Sequence, residues 1–187
     1  MDMYEYPEEF KRLSKRISDI LKIVVERAAK MGVTAIYLME DLATTKGLAM
    51  SPAMIREFCL DYVIDLVAIA RVYNLPVLFH SDGTVSDLME PLIDIVVCAV
   101  NPLQPHLNDA AEFKRRFGKQ LAIYGGLDNC FIIPDGSPAE IRTHVFDVFE
   151  KLGRPDGGLI FSTHEIPLQT PKENVEAMIE AIKKCQY

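Results

Sequence analysis

The amino-acid sequence predicts an α/β fold, a partial (β/α)8 barrel of the TIM type with five parallel strands and flanking helices. Five short apolar runs each end in a polar cluster: residues 33–39 before Glu40 and Asp41, 76–79 before His80 to Gly83, 95–100 before Asn101, 121–124 before Gly125 to Asp128, and 159–162 before Thr163 to Glu165. They are too short for helices and too uniformly apolar for half-exposed strands, so strands buried on both faces are expected. Amphipathic patterns separate the runs, and strand–helix alternation marks a parallel sheet whose crossovers need a dozen residues or more. Polar groups follow all five runs. A doubly wound sheet would concentrate them at one switch point, whereas a barrel spreads them around its carboxyl-end rim. Five units cannot close an eight-stranded barrel, so an arc is expected, as a single domain over residues 1–187.

Residues 7–31 carry Phe10, Leu13, Ile17, Ile20, Leu21, Val24, Val25 and Ala28 at helical spacing, and Met31-Gly32 ends that helix with glycine in its usual C-terminal role. A loop over 42–50 follows the first strand. Ser51-Pro52 opens the next helix, with serine as N-cap and proline at the first position, and the helix runs to about Tyr73. Thr84 with Asp87, Ser137 with Glu140 and Thr170 with Glu173 have capping-box spacing. Asn108-Asp109 predicts a cap for a helix through Phe117, which Gly118 ends. Residues 153–158 form a glycine- and proline-rich turn into the last strand.

With 187 residues, 49% of them hydrophobic and 25% charged, the chain has an ordinary water-soluble composition and enough length for a sizeable core. A formal net charge of −7 argues against nucleic-acid binding, which needs a basic footprint. No apolar run approaches the ~18 residues of a membrane span, and the first residues lack the basic and apolar regions of a signal peptide, so the expected compartment is the cytoplasm. Cys59, Cys98, Cys130 and Cys185 show no CxxC or disulfide-like spacing and are expected as reduced thiols. Cys59 and Cys98 read as structural, while Cys130 stands in a loop just beyond a strand end.

The candidate chemistry lies at the strand ends. His80 and Asp82 are two apart, so in extended chain they project to one face about 7 Å apart at the Cα level. His164, on the last strand, faces the same mouth, and Glu40 or Asp41 approaches from the first. Two histidines and a carboxylate around an open position make a divalent-metal site, so His80, Asp82 and His164 are the candidate catalytic and metal-ligating residues. The bland alternatives are a strand-end histidine bonded to a loop and, for Asp82, an ordinary Ser-Asp-Gly turn. Glu40, Asp41, Asn101, Gly125, Gly126 and Asp128 are candidate substrate-binding residues at the same rim. The two glycines either admit a ligand to the backbone or relieve crowding at a turn, and their segment lacks a dinucleotide-binding pattern. His106 and His144 are expected at the surface, and Lys114-Arg115-Arg116 as a solvated helix face.

Taken in order, Met39-Glu-Asp-Leu, Ser51-Pro-x-Met-x-Arg-Glu-Phe, Leu78-Phe-His-Ser-Asp-Gly, Asn101-Pro-Leu-Gln-Pro, Phe117-Gly, Gly125-Gly-Leu-Asp and Thr163-His with Glu173-Asn174 resemble the carboxyl-terminal half of the uroporphyrinogen decarboxylase superfamily. That superfamily includes methyltransferases that move a methyl group between a corrinoid protein and a thiol. The resemblance covers nearly the whole chain and implies a (β/α)8 barrel acting on a small-molecule substrate at the strand carboxyl ends. His164 matches a histidine that lines the porphyrinogen pocket of the decarboxylases. Gly126-Leu127-Asp128 with Cys130 resembles their Gly-Asn-Leu-Asp-Pro-Cys segment, with Gly126 where asparagine stands. Their essential aspartate and substrate-binding arginines come from the amino-terminal half. The thiol methyltransferases hold zinc with His-x-Cys at the second of these strand ends and a cysteine near the last. Here the pattern is His80-x-Asp82 with His164, a harder donor set. The resemblance therefore implies zinc as a candidate cofactor and a corrinoid protein as a candidate partner and methyl donor.

Three readings stay open on the sequence. The first is a methyltransferase-like or divergent enzyme acting at the barrel mouth with a bound metal. The second is a uroporphyrinogen decarboxylase, the carboxy-lyase of porphyrin biosynthesis, needing a separate amino-terminal half. The third is a non-catalytic barrel-half subunit or binding module. An arc leaves sheet edges and apolar faces open, so pairing with an amino-terminal half or with a copy of itself as a homo-oligomer is expected.

Overall fold

The computed structural model describes residues 2–154 and 156–186. A short helix, α1 (Asp2–Glu5), leads into α2 (Pro7–Lys30), which carries Glu8 and Glu9 in its first turn and Arg27 and Lys30 in its last, in keeping with the helix dipole. Gly32 then adopts a φ of 84° and ends the helix as predicted. Strand β1 (Ile36–Met39) is followed by a small antiparallel hairpin, β2 (Ala43–Thr44) and β3 (Gly47–Leu48). Helix α3 (Pro52–Ile55) starts at Ser51, whose Oγ accepts the Met54 N–H at 3.3 Å. It passes through a π-helical turn into α4 (Asp61–Val72). Then come β4 (Val77–His80), α5 (Met89–Asp94), β5 (Ala99–Asn101), α6 (Ala110–Phe117), β6 (Ala122–Gly126), α7 (Ile132–Asp135), α8 (Pro138–Val148), β7 (Leu159–Ser162) and α9 (Lys172–Ile182).

The five longer strands form one parallel sheet in the order β1-β4-β5-β6-β7. Spatial order follows chain order without reversal, which is the arrangement of a barrel arc and not of a doubly wound sheet. Side chains alternate along each strand, and Ile36, Val77, Phe79, Val100, Ile123 and Leu159, aligned by register, are all buried on the helical side. Tyr37, His80, Asn101, Tyr124 and Ile160 share the other face. In a flat sheet β1 and β6 would lie three spacings, about 14 Å, apart. The Tyr37 and Tyr124 ring centroids are only 6.0 Å apart, so the sheet curves toward this face.

Several expectations change. Strands buried on both faces describe the middle of the sheet but not its ends: Met39 on β1 is 68% exposed and Ile160 on β7 is 47% exposed, because among the described residues each edge strand has a neighbour on one side only and its concave side has no cover. The third strand starts at Ala99, not 95, since Val96 takes a φ of 66° in the turn after α5, and Cys98 is exposed, not core. The Ser137–Glu140 capping box forms, and Asp109 caps α6, but two expected caps do not. Thr84 Oγ1 donates instead to the Thr45 carbonyl, and α9 is preceded by Pro171 with no side-chain cap. Within the turn at 153–158, Pro155 lies outside the described residues. The apolar stripe of α2 is mostly uncovered: Val25 is buried, Phe10 packs edge-on against Phe58, and Leu13, Ile17, Ile20 and Val24 are exposed. No helix among the described residues is long and apolar enough to cross a membrane.

Gly125 sits in β6 with a φ of 159°, and a Cβ there would lie 1.6 Å from the Pro102 carbonyl oxygen. Gly125→Ala is expected to destabilise the chain by about 3 kcal/mol or more. Gly32→Ala, with open space around it, should cost only about 1 kcal/mol. Paired denaturant titrations check the contrast, and equal losses would contradict the close approach.

Candidate functional site at the carboxyl rim

Asn101 organises the rim. It is buried at the end of β5, and its Nδ2 donates to the Tyr124 carbonyl at 2.8 Å, which turns its Oδ1 into an acceptor. Tyr37 donates its hydroxyl to that oxygen at 2.6 Å, and His80 Nδ1 lies 2.7 Å from it. An amide oxygen cannot donate, so Nδ1 carries a proton, and the His80 Nε2 is left free of this network and turned to the rim. Burial, with smaller contributions from Tyr124 and Asp82, raises the Tyr37 hydroxyl to about 12, so it stays a donor.

The free Nε2 faces two carboxylates, Asp41 Oδ1 at 3.6 Å and Asp82 Oδ1 at 3.9 Å. Asp82 Oδ2 lies 3.1 Å from His164 Nε2, and the two imidazoles stack with centroids 5.8 Å apart. One ligand atom from each of His80, Asp82 and His164 falls within 4.8 Å of the others. Asp82 Oδ1 is buried with no hydrogen-bond partner among the described residues. A lone pair facing carboxylate oxygens is repulsive unless a cation or a proton stands between them. The donor set of two imidazoles and a carboxylate fits a divalent metal ion, and a carbonyl behind one histidine is the usual way of fixing such a ligand.

The surrounding loops are tied to one another. Asp82 N–H donates to Asp41 Oδ1 at 3.0 Å, Gly83 N–H to Gln104 Oε1 at 2.9 Å, and Leu42 N–H to Ser81 Oγ at 3.1 Å. Asn108 Nδ2 reaches the Gly83 carbonyl at 2.9 Å. The turn at Gly83 is tight because a Cβ would meet the Thr44 backbone at 2.5 Å. A depression of about 490 Å³ bordered by Glu90, Asp94, Arg116 and Gln120 lies where strands begin, away from these donors.

A family profile described as uroporphyrinogen decarboxylase (URO-D) matches residues 1–185. The chain belongs to the uroporphyrinogen decarboxylase family. Among family relatives, the uroporphyrinogen decarboxylase of Coxiella burnetii (strain Dugway 5J108-111) is 25% identical over 185 residues, covering 97% of this chain and 49% of its own. The chloroplastic uroporphyrinogen decarboxylase 2 of Oryza sativa subsp. japonica is 26% identical over 188 residues, covering 98% of this chain and 45% of its own. The chain thus spans about half the length of the curated relatives it matches. In fold it is similar to a methyltransferase from Methanosarcina mazei, with a TM-score of 0.68 and 19% identity, over 96% of this chain and 53% of that one.

Of the other predicted residues, Asp41 joins the His80 cluster and Asn101 stands directly behind it. Glu40 does not face the cluster. It borders a cavity of about 270 Å³ between α2 and α4 with Phe10, Ile17, Cys59 and Tyr62, where burial and then Asp41 raise its pKa. The space over Gly125 is filled by Pro102, so that glycine answers internal crowding. Asp128 Oδ1 accepts the N–H groups of Cys130 and Phe131, at 2.8 and 2.9 Å. Lys114, expected in solvent, donates Nζ to the Gly157 carbonyl. Tyr37 is not singled out by the sequence reading, Gln104 enters it only within the Asn101-Pro-Leu-Gln-Pro motif and Asn108 only as a helix cap. Tyr37 could have been found, since strand alternation from Met39 and His80 puts it on the same face.

His144 is also not a free surface group: its Nε2 accepts the Asp128 N–H at 3.1 Å. Burial lowers its pKa from 6.5, with Asp128 and Asp147 opposing and Lys151 adding. The folded protein therefore binds this proton less readily than the unfolded chain, so its stability is unaffected above pH 6.5 and falls as pH drops below it. His144→Gln, which keeps an acceptor without a titrating ring, is expected to flatten the melting temperature across that acid interval. An unchanged acid slope would contradict the buried neutral imidazole.

Proposed function

We propose that this chain is the rim-bearing half of a methyltransferase-like member of the uroporphyrinogen decarboxylase superfamily, acting on a small molecule at His80, Asp82 and His164. The observation that supports it is the meeting of the free His80 Nε2 with His164 Nε2 and the orphaned Asp82 Oδ1. A zinc-class ion held by these three residues would supply Lewis acidity that lowers the pKa of an acceptor thiol. The protein's own part is positional. Asn101 and Tyr37 hold the His80 tautomer, Asp82 N–H fixes Asp41, and the exposed Asp41 carboxylate is placed to take the proton that the thiol releases. Tyr37, Tyr124 and Met39 give the approaching substrate an apolar floor. The methyl donor in this reading is a corrinoid carried by a separate protein.

The names of the curated relatives favour a second reading, decarboxylation of uroporphyrinogen together with an amino-terminal half. Lys46 is the only lysine or arginine in rim segments 40–50, 81–87, 102–109, 127–131 and 163–171, which leaves a polycarboxylate substrate a single cationic partner in these segments. Zinc titration followed by elemental analysis separates the two. The wild-type chain is expected to bind one more equivalent than His80→Ala, and Asn101→Ala to weaken that equivalent by about 10–100-fold. Equal zinc content in wild type and His80→Ala, with uroporphyrinogen turnover on adding an amino-terminal half, would overturn the methyltransferase reading.

We also propose that a separate amino-terminal half covers the free edges β1 and β7 and the α2 stripe, with a second copy of this chain taking that place when the half is absent. Leu13→Glu with Ile17→Glu is expected to abolish association in sedimentation velocity while leaving the melting temperature of the isolated chain within a few degrees, because both side chains are already exposed. Undiminished association would count against this surface.

A further inference from the structure

A second cluster of donors lies at the same rim, outside the His80 site. His106 follows β5, and Asp128 and Cys130 follow β6. One ligand atom from each falls within 4.8 Å of the others. The arrangement is held from several sides. Asp128 accepts from the backbone of residues 130 and 131 through one oxygen, and its own N–H is held by His144. Asn129 Nδ2 donates to the Glu165 carbonyl at 2.7 Å, fastening this turn to the loop after β7. The His106 ring stands edge-on to Phe131 with centroids 6.0 Å apart.

We propose that His106, Asp128 and Cys130 form a second cation site, one that takes a single zinc-class divalent ion. Cys130 Sγ lies 3.8 Å from His106 Nε2. A tetrahedral zinc ion bonded to sulfur at ~2.3 Å and to nitrogen at ~2.05 Å would hold those atoms about 3.6 Å apart. This pair therefore needs only a few tenths of an ångström of adjustment. A carboxylate offers about four lone-pair sites, and the two N–H groups on Asp128 Oδ1 leave others for an ion. Nitrogen, sulfur and oxygen donors together exclude magnesium and calcium, which take all-oxygen shells, and three protein ligands leave one tetrahedral position for water or an external thiol. Partial desolvation and the Asp128 carboxylate hold the Cys130 thiol above its usual range, which keeps it a weak nucleophile without an ion. Binding displaces the thiol proton to solvent as the sulfur–metal bond forms, and the charge on the ion then reverses the effect of Asp128.

The inference is independent of the His80 site, because that site contains no sulfur. Cobalt(II) titration of the purified chain distinguishes them, since only a thiolate ligand produces a sulfur-to-cobalt charge-transfer band in the near ultraviolet. The band is expected to saturate at one equivalent, to disappear on zinc addition and to survive in His80→Ala. It should be absent in Cys130→Ser, and His106→Ala should weaken cobalt binding by at least about tenfold. Both substituted side chains are exposed, and a circular-dichroism melt of each variant checks that it remains folded. A wild-type chain with no such band at saturating cobalt, or a band that persists in Cys130→Ser, would overturn the proposal.

Discussion

One buried amide joins four of the five parallel strands. Asn101, on β5, takes hydrogen bonds from Tyr37 on β1 and His80 on β4 and gives one to the β6 backbone at Tyr124. Each such bond contributes on the order of 1 kcal/mol, and a buried partner left unsatisfied costs more than that. The network exists only if β4 and β5 keep the register that sets His80 beside Asn101, because a slip of one residue in either strand would send its own side chain to the helical face. It also requires the curvature that brings Tyr37 toward Tyr124. Strand register, sheet bend and histidine tautomer therefore stand or fall together, and the free Nε2 at the rim is their chemical result.

The uncovered surfaces have a single geometric origin. Among the described residues, the parallel arc of five strands ends at two strands with one unpaired edge each, and its concave face has no opposite wall. That is why Met39 and Ile160, on the concave face of the edge strands, are exposed while His80 and Asn101, on the same face in the middle of the sheet, are buried. The outer layer shows the same pattern. Helix α2 packs on α4 through the face bearing Ser18 and Val25, while Leu13, Ile17, Ile20 and Val24 of its apolar stripe stay exposed.

The sequence carried the layout better than the local detail. The last strand matches to the residue at 159–162, and the alternation of strands with helices gave the arc and the position of the polar clusters. The third strand was set too early because apolar residues 95–98 complete a helix end and its turn, which hydrophobicity alone cannot separate from a strand. Thr84 and Thr170 have capping-box spacing without capping. Thr84 finds a carbonyl in the β2–β3 hairpin, a tertiary partner that spacing does not encode. Glu40 and Asp41 looked equivalent as neighbours at one strand end. Alternation separates them, turning Asp41 to the rim and Glu40 to the helix layer, so strand periodicity had to be carried one residue past the strand to tell them apart.

The two donor clusters differ in a way that bears on what the rim can do. His80, Asp82 and His164 offer nitrogen and oxygen only, which leaves a held cation more electron-poor than a thiolate would and favours polarising a bound ligand. His106, Asp128 and Cys130 include sulfur, which donates more charge and suits the tighter holding of a soft ion. Sulfur is absent from the strand end where the thiol methyltransferases place it and present two loops further along the same rim. If both clusters are filled, the softer site can retain its ion while the harder one exchanges ligands. The division follows from which loop supplies the cysteine, a matter of a few residues after β6, on a frame of strands that need not change to accommodate it.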